Sequence, residues 1–175
     1  MSVAANPLGV AVSPDGMLVF VGHAGALSVL TLQTYVLRDD PPNCGGYITN
    51  VAVSADGRSA FAWADASYQL KDCSAASGLQ VYDVPSETLV PTLPASPIID
   101  MAMAPEAQDL AFLTQKGMSA IYPFDTKGLA LGDPLAIPAK GGAEQRQPLK
   151  LAAPGNASRV FALISDGGYR CNMAK

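Results

Sequence analysis

The sequence predicts an all-β chain of β-propeller blades, about three complete and a fourth in part. Three observations carry that prediction. An apolar-Ala-apolar triplet recurs as Val10-Ala11-Val12, Val51-Ala52-Val53 and Met101-Ala102-Met103, with a fourth, weaker copy at Leu151-Ala152-Ala153. Each copy is followed by a turn and then by Phe20, Phe61, Phe112 or Phe161. The leading residues lie 41, 50 and 50 positions apart, long for a solenoid coil and suited to a four-stranded blade. Helical periodicity is almost absent, with room for a turn or two over 103–111 at most.

The first blade, about 6–42, opens on a valine-rich run over 8–13 that reads as a buried strand. Pro14-Asp15-Gly16 supplies turn chemistry: Pro presets φ, Asp bonds to nearby backbone, and Gly accepts positive φ. Leu18 to Val21 makes a second strand, and Gly22 and Gly25 bracket the next loop. Leu27 to Leu32 makes a third, and Tyr35 to Leu37 a short fourth that ends before Asp39-Asp40-Pro41-Pro42. The second blade, about 43–95, repeats this order at 47–54, 58–64, 78–84 and 88–93, with a long middle loop. The third, about 96–140, has strands at 98–104, 109–114, 118–124 and 129–137, and its first turn has lost the glycine. The fourth, about 147–175, shows strands at 149–153 and 159–164. In each first strand the alanine is expected on a face that admits only a small side chain, with its flanking residues against the neighbouring blade.

The run Val10 to Gly16 followed by Leu18 to Val21 resembles the YVTN-type propeller repeat, a pattern shared with lactonase-like and surface-layer propellers. Leu79-Gln80-Val81-Tyr82-Asp83-Val84 is similar to the third strand of that repeat. The resemblance implies a propeller fold. It leaves activity open, because such propellers include lactone hydrolases, cycloisomerases, dehydrogenase subunits and plain binding modules.

A length of 175 residues allows one domain, and a 49% hydrophobic fraction can fill its core. Only 15% of residues are charged, which argues against disorder. No apolar run approaches a helical membrane span. The net charge of −4 and the scattered Lys and Arg exclude a nucleic-acid stripe; Lys140, Arg146 and Lys150 read as a thin solvated loop cluster. Three and a fraction blades do not close a ring. Further blades are therefore expected from the same chain, a second copy or another subunit, with Phe161 and Ile164 facing water otherwise.

In this topology the connections between blades and the second-to-third strand loops share one end of the sheets. Cys44 and Cys73 fall on two such loops of the second blade, which predicts a disulfide if their Cα atoms approach within about 7 Å. Cys171 is left over, to pair elsewhere or stay free. A disulfide implies an oxidising compartment, so the expected location is periplasmic or extracellular. The residues before the first strand show no signal-peptide pattern.

The same end is expected to carry His23, a surface residue dispensable for folding, and the loop residues Asp39, Asp40, Asp65 and Asp72. Tyr68 and Lys71 complete the binding residues expected there. In the lactonase-like and cycloisomerase propellers that the repeat resembles, His, Glu and Arg from neighbouring blades form the site; here only His23 is suggestive. No CxxC, CxxCH, calcium-loop, P-loop, dinucleotide or Ser-His-Asp pattern occurs, so no metal, cofactor or catalytic set is expected. Gly141-Gly142 reads as a hinge. Asn156-Ala157-Ser158 reads as a glycosylation acceptor in a turn, usable only in a eukaryotic secretory route. Asp15 and Asp56 read as turn residues, Trp63 as packing between blades, and Met101 and Met103 as core. The leading function is a non-catalytic binding or scaffolding module of an exported protein, with a protein or small-molecule ligand on the loop end that carries Cys44 and Cys73. The competing functions are part of a lactonase- or isomerase-like enzyme or redox complex, and a structural repeat of a cell-surface protein.

Overall fold

Valine-rich segments separated by Asp-Gly turns fold here into successive antiparallel meanders. The computed structural model describes residues 6–23, 26–33, 36–39, 48–64, 79–93, 97–107, 109–137 and 146–165. Among these, every regular element is a β-strand.

The first sheet runs in the order β1 (Pro7–Val12), β2 (Leu18–His23), β3 (Ala26–Thr31), β4 (Val36–Asp39). The second follows as β5 (Asn50–Val53), β6 (Ser59–Trp63), β7 (Leu79–Asp83), β8 (Thr88–Leu93). The third contains β9 (Ile98–Met103), β10 (Leu110–Gln115) and β11 (Ala120–Asp125). Its outer strand is split at 132–134 into β12 (Ala130–Leu131) and β13 (Leu135–Ala136), both paired with β11. The fourth is the pair β14 (Gln147–Ala152) and β15 (Phe161–Ser165). The expected strand at 129–137 is therefore two short pieces, because Gly132-Asp133-Pro134 interrupts the ladder. The described residues within 103–111 are strand ends and a turn, with no helix.

The register of the repeat is uniform. Ala11 pairs with Phe20, Ala52 with Phe61, Ala102 with Phe112 and Ala152 with Phe161. The four alanines thus occupy equivalent places in the first strand of each sheet. Those first strands also lie side by side in space, β1 against β5, β5 against β9 and β9 against β14.

Strand alternation sends each residue set to one neighbour or the other. In β6, Ala60 and Ala62 join Phe20, Leu27, Val29, Ile48 and Tyr82 in a core between the first two sheets. Phe61 and Trp63 join Leu79, Val81, Ile98, Met101 and Phe124 between the second and third. Edge-to-face aromatic pairs sit in both cores, Phe20 with Tyr82 at 6.2 Å and Phe61 with Phe124 at 5.8 Å. The expected packing roles of Trp63 and Met101 hold, and Met103 packs partly buried on the same core. Ala52 also packs on that core, toward the third sheet, while Val51 and Val53 pack back on the first. The recurring alanine thus marks the forward side of each first strand.

Gly22 differs from its expected place in a loop. It lies within β2, paired with Gly9. A Cβ on Gly22 would stand 2.5 Å from Ile48 Cγ2 and 2.8 Å from the Ile48 carbonyl oxygen. One on Gly9 would stand 2.8 Å from the Thr49 carbonyl oxygen. The glycine pair lets the start of the second sheet approach the first at backbone distance.

Candidate functional site

The two ends of the sheets are built differently. At one end lie the first-to-second and third-to-fourth strand turns, and these close on themselves. Ser13 Oγ donates to Asp15 Oδ1 at 2.5 Å and accepts from the Leu18 N–H at 2.9 Å, while Asp15 Oδ1 accepts from the Met17 N–H at 3.0 Å. Ser54, Asp56, Arg58 and Ser59 repeat this arrangement at 2.6, 2.9 and 3.0 Å. Asp15 and Asp56 are thus turn residues, as expected, but each acts through a buried serine that the turn reading passed over. The Ser13 hydroxyl, then the Met17 N–H, hold the Asp15 carboxyl below its usual range. For Asp56 burial pushes upward, and the Ser54 hydroxyl and Arg58 N–H together outweigh it, so its carboxyl is also lowered. Ala104 replaces the serine in the third turn, and there the Gly155 carbonyl accepts from the N–H groups of Glu106 and Ala107 at 2.7 and 3.2 Å. Asn156 takes the aspartate's part in the fourth, accepting from the Ser158 N–H at 3.0 Å.

Between the second and third sheets this end holds a cleft of about 370 Å³. Asp56, Arg58 and Asp83 line one side and Asp109, Thr126 and Lys127 the other. Asp83 Oδ2 accepts from the N–H and hydroxyl of Ser86, so its carboxylate is fixed in place. Three carboxylates and two cations suit a polar ligand of mixed charge. Sequence reasoning missed this cleft, since its residues span 54 to 127 and meet only when neighbouring turns align. The one trace in the sequence is that an aspartate closes the third strand of both sheets, Asp83 in β7 and Asp125 in β11.

At the opposite end, where the binding residues are expected, the described part departs from expectation at His23. His23 is buried, only 2% exposed, and is no surface residue. It belongs to β2, where the ladder continues through the pair His23–Ala26, and its Nε2 shares a 2.7 Å hydrogen bond with the buried Ser28 hydroxyl. Its carbonyl accepts from the Ile48 N–H at 3.2 Å. Asp39 was expected in a loop and instead ends β4, opposite Ser28. Asp40, Cys44, Asp65, Tyr68, Lys71, Asp72, Cys73 and Cys171 lie outside the described residues, as do Lys140 and Gly141-Gly142. Lys150 is corrected too: it sits in β14, not a loop, and its ammonium donates to Asp100 Oδ1 at 3.1 Å.

Near this end of successive second strands, three buried polar atoms have no hydrogen-bond partner among the described residues: His23 Nδ1, Trp63 Nε1 and Thr114 Oγ1. The parent residues are 2%, 4% and 0% exposed. Buried polar groups are nearly always paired, so a row of exceptions at one end marks it out. Among the described residues no group of three or more His, Cys, Asp or Glu is placed to hold a metal ion. No described helix is long and apolar enough to cross a membrane.

Comparison with known proteins agrees on fold. The chain is similar to a solved chain of Kuenenia stuttgartiensis hydrazine synthase, with a TM-score of 0.59 at 17% identity. The match covers 83% of this chain and 41% of that one, so this chain spans under half of its length. At that identity the likeness is one of fold and transfers no residue role. Similar folds are found in 743 solved chains, too many to single out an activity. No family model matches the sequence, and no curated protein does.

Proposed function

We propose that this chain is a non-catalytic binding or scaffolding module of an exported protein, built from YVTN-like propeller blades. In this reading the four sheets stand radially with β1, β5, β9 and β14 innermost, and the working surface is the end that carries the inter-sheet and second-to-third strand loops. The Cys44–Cys73 disulfide would anchor the long loop there. One observation favours this end. The turn end satisfies its own hydrogen bonds through Ser13, Ser54, Asp15 and Asp56, whereas the loop end leaves His23, Trp63 and Thr114 with unpaired buried polar atoms. The charged cleft between the second and third sheets supports a second reading, in which a mixed-charge ligand binds at the turn end.

Selection of a displayed random-peptide library on the immobilised chain separates the two. Peptides that lose at least about tenfold affinity (1.4 kcal/mol) on Tyr68→Ala or Asp72→Ala, and none on Arg58→Ala, put the partner at the loop end. Loss confined to Arg58→Ala and Lys127→Ala moves it to the cleft. Failure to recover any peptide sensitive to either pair overturns the binding-module reading.

A further inference from the structure

Among the described residues the repeat leaves two apolar faces exposed, and each is a copy of a face that is covered between inner sheets. At the first junction Phe20 is buried in one core with Val51 and Val53 packed against it. At the second, Phe61 shares a core with Met101, and Met103 packs on it. Phe112, the third of the series, is 6% exposed on the sheet that meets β14. The first two junctions thus each set a phenylalanine from a second strand against the apolar residues that flank the alanine of the next first strand.

Phe161 is the fourth member of the series, paired with Ala152 as the others are with their alanines. It is 59% exposed, and Leu163 two residues on is 63% exposed. At the other end of the array, Val10 and Val12 hold the places of Val51 and Val53, and they are 66% and 54% exposed. Leu8 extends that patch at 45%. Among the described residues, the fourth sheet therefore shows a phenylalanine face with no valines against it, and the first sheet a valine face with no phenylalanine against it. Ile164, expected to face water, is half-buried, because alternation turns it to the inner side and Leu163 outward.

We infer that these faces bind each other between copies: the β14–β15 face of one chain docks on the β1–β2 face of a second, head to tail. The occupant is fixed by the repeat itself. Both inner cores show which side chains this register brings together, and a second copy presents that set. The contact is heterologous, so two copies close on each other when the rotation per copy permits, and longer arrays form when it does not. The inference rests on the register of the repeat and stands apart from the choice between loop end and cleft.

Sedimentation of the full chain at micromolar concentration tests it. The expected result is a species of two or more copies of the 18.0 kDa chain. Val10→Asp and Phe161→Asp change exposed side chains, so both variants are expected to fold and to sediment as monomers. Mixed together, each keeps one intact face, and the mixture is expected to recover a two-copy species. Wild-type chain that stays monomeric overturns the inference whatever the variants do. So does a Val10→Asp chain that associates like wild type, since the phenylalanine faces would then pair with themselves. A monomeric Phe161→Asp chain that has lost its cooperative melt places that face under its own polypeptide, and overturns it as well.

Discussion

Phe61 and Phe161 hold one position of the repeat in opposite environments, and replacing each by alanine separates the role of register from that of burial. Phe61 is fully buried and makes an edge-to-face contact with Phe124 at 5.8 Å. Core Phe→Ala changes cost about 3–5 kcal/mol, through lost transfer energy and the cavity left behind. Loss of the aromatic pair, about 0.5–1.5 kcal/mol, puts this site in the upper part of that range. We take about 4 kcal/mol, which at about 2–4 °C per kcal/mol for a chain of this size lowers Tm by about 8–16 °C. Phe161 is 59% exposed, and its truncation is expected to cost less than about 1 kcal/mol. Both changes belong in a Val10→Asp background, so that contact between copies does not enter the comparison. Urea unfolding followed by far-UV circular dichroism and by Trp63 fluorescence gives both values, because Trp63 lies in the same core as Phe61. A Phe61→Ala cost below about 1.5 kcal/mol, or equal costs at the two sites, would refute the assignment of that core.

Gly22→Ala is expected to destabilise by about 1–3 kcal/mol, because its Cβ meets Ile48 at 2.5 Å; a neutral urea midpoint would show that the first two sheets are not so close. His23→Ala is expected to cost more than about 1 kcal/mol through loss of a buried ring and its bond to Ser28, and calorimetry showing less would return His23 to the surface. Asp15, Asp56 and Asp125 all have lowered carboxyl pKa values in the folded chain. The stability they lend is complete above the unfolded carboxylate value of about 3.9 and fades as pH falls through the lower folded values. Acid titration of a Asp15→Asn, Asp56→Asn double variant should therefore show a flatter decline below about pH 4, and an unchanged slope would count against these turns.

The sequence made the order of strands legible because triplet, turn and phenylalanine recur together, and that register is borne out to the residue in the four Ala–Phe pairs. What it hid were facts of orientation and approach. Val10 and Val51 read alike, and only the presence of a preceding sheet makes one exposed and the other packed. Gly22 looked like a loop residue because glycine signals both a turn and a close backbone contact, and only the position of Ile48 decides between them. His23 reads as a surface residue for the same reason, since the strand runs two residues past Val21, through His23. Ser13 and Ser54 looked like ordinary strand ends, although each hydroxyl closes its turn. The cleft was out of reach because Arg58 and Lys127 belong to different repeats and meet through the angle between sheets.

Asp100 joins the third and fourth sheets by polar bonds. Its Oδ2 accepts from the Leu151 N–H at 2.7 Å and its Oδ1 from the Lys150 ammonium at 3.1 Å, while the Gly155 carbonyl reaches back to the third turn. Such a chain of sheets behaves as a one-dimensional array with nearest-neighbour coupling, in which each unit leans on the one beside it. Among the described residues the fourth sheet has two strands, and Phe161 and Leu163 are exposed on its outer face. Asp100 then acts as the splice that keeps the β14–β15 pair from fraying independently. Amide exchange should be slowest in β6 and β10 and fastest in β15. Cutting the splice with Asp100→Ala should release β14 and β15 as a separate low-temperature transition while leaving the Trp63 core to melt on its own.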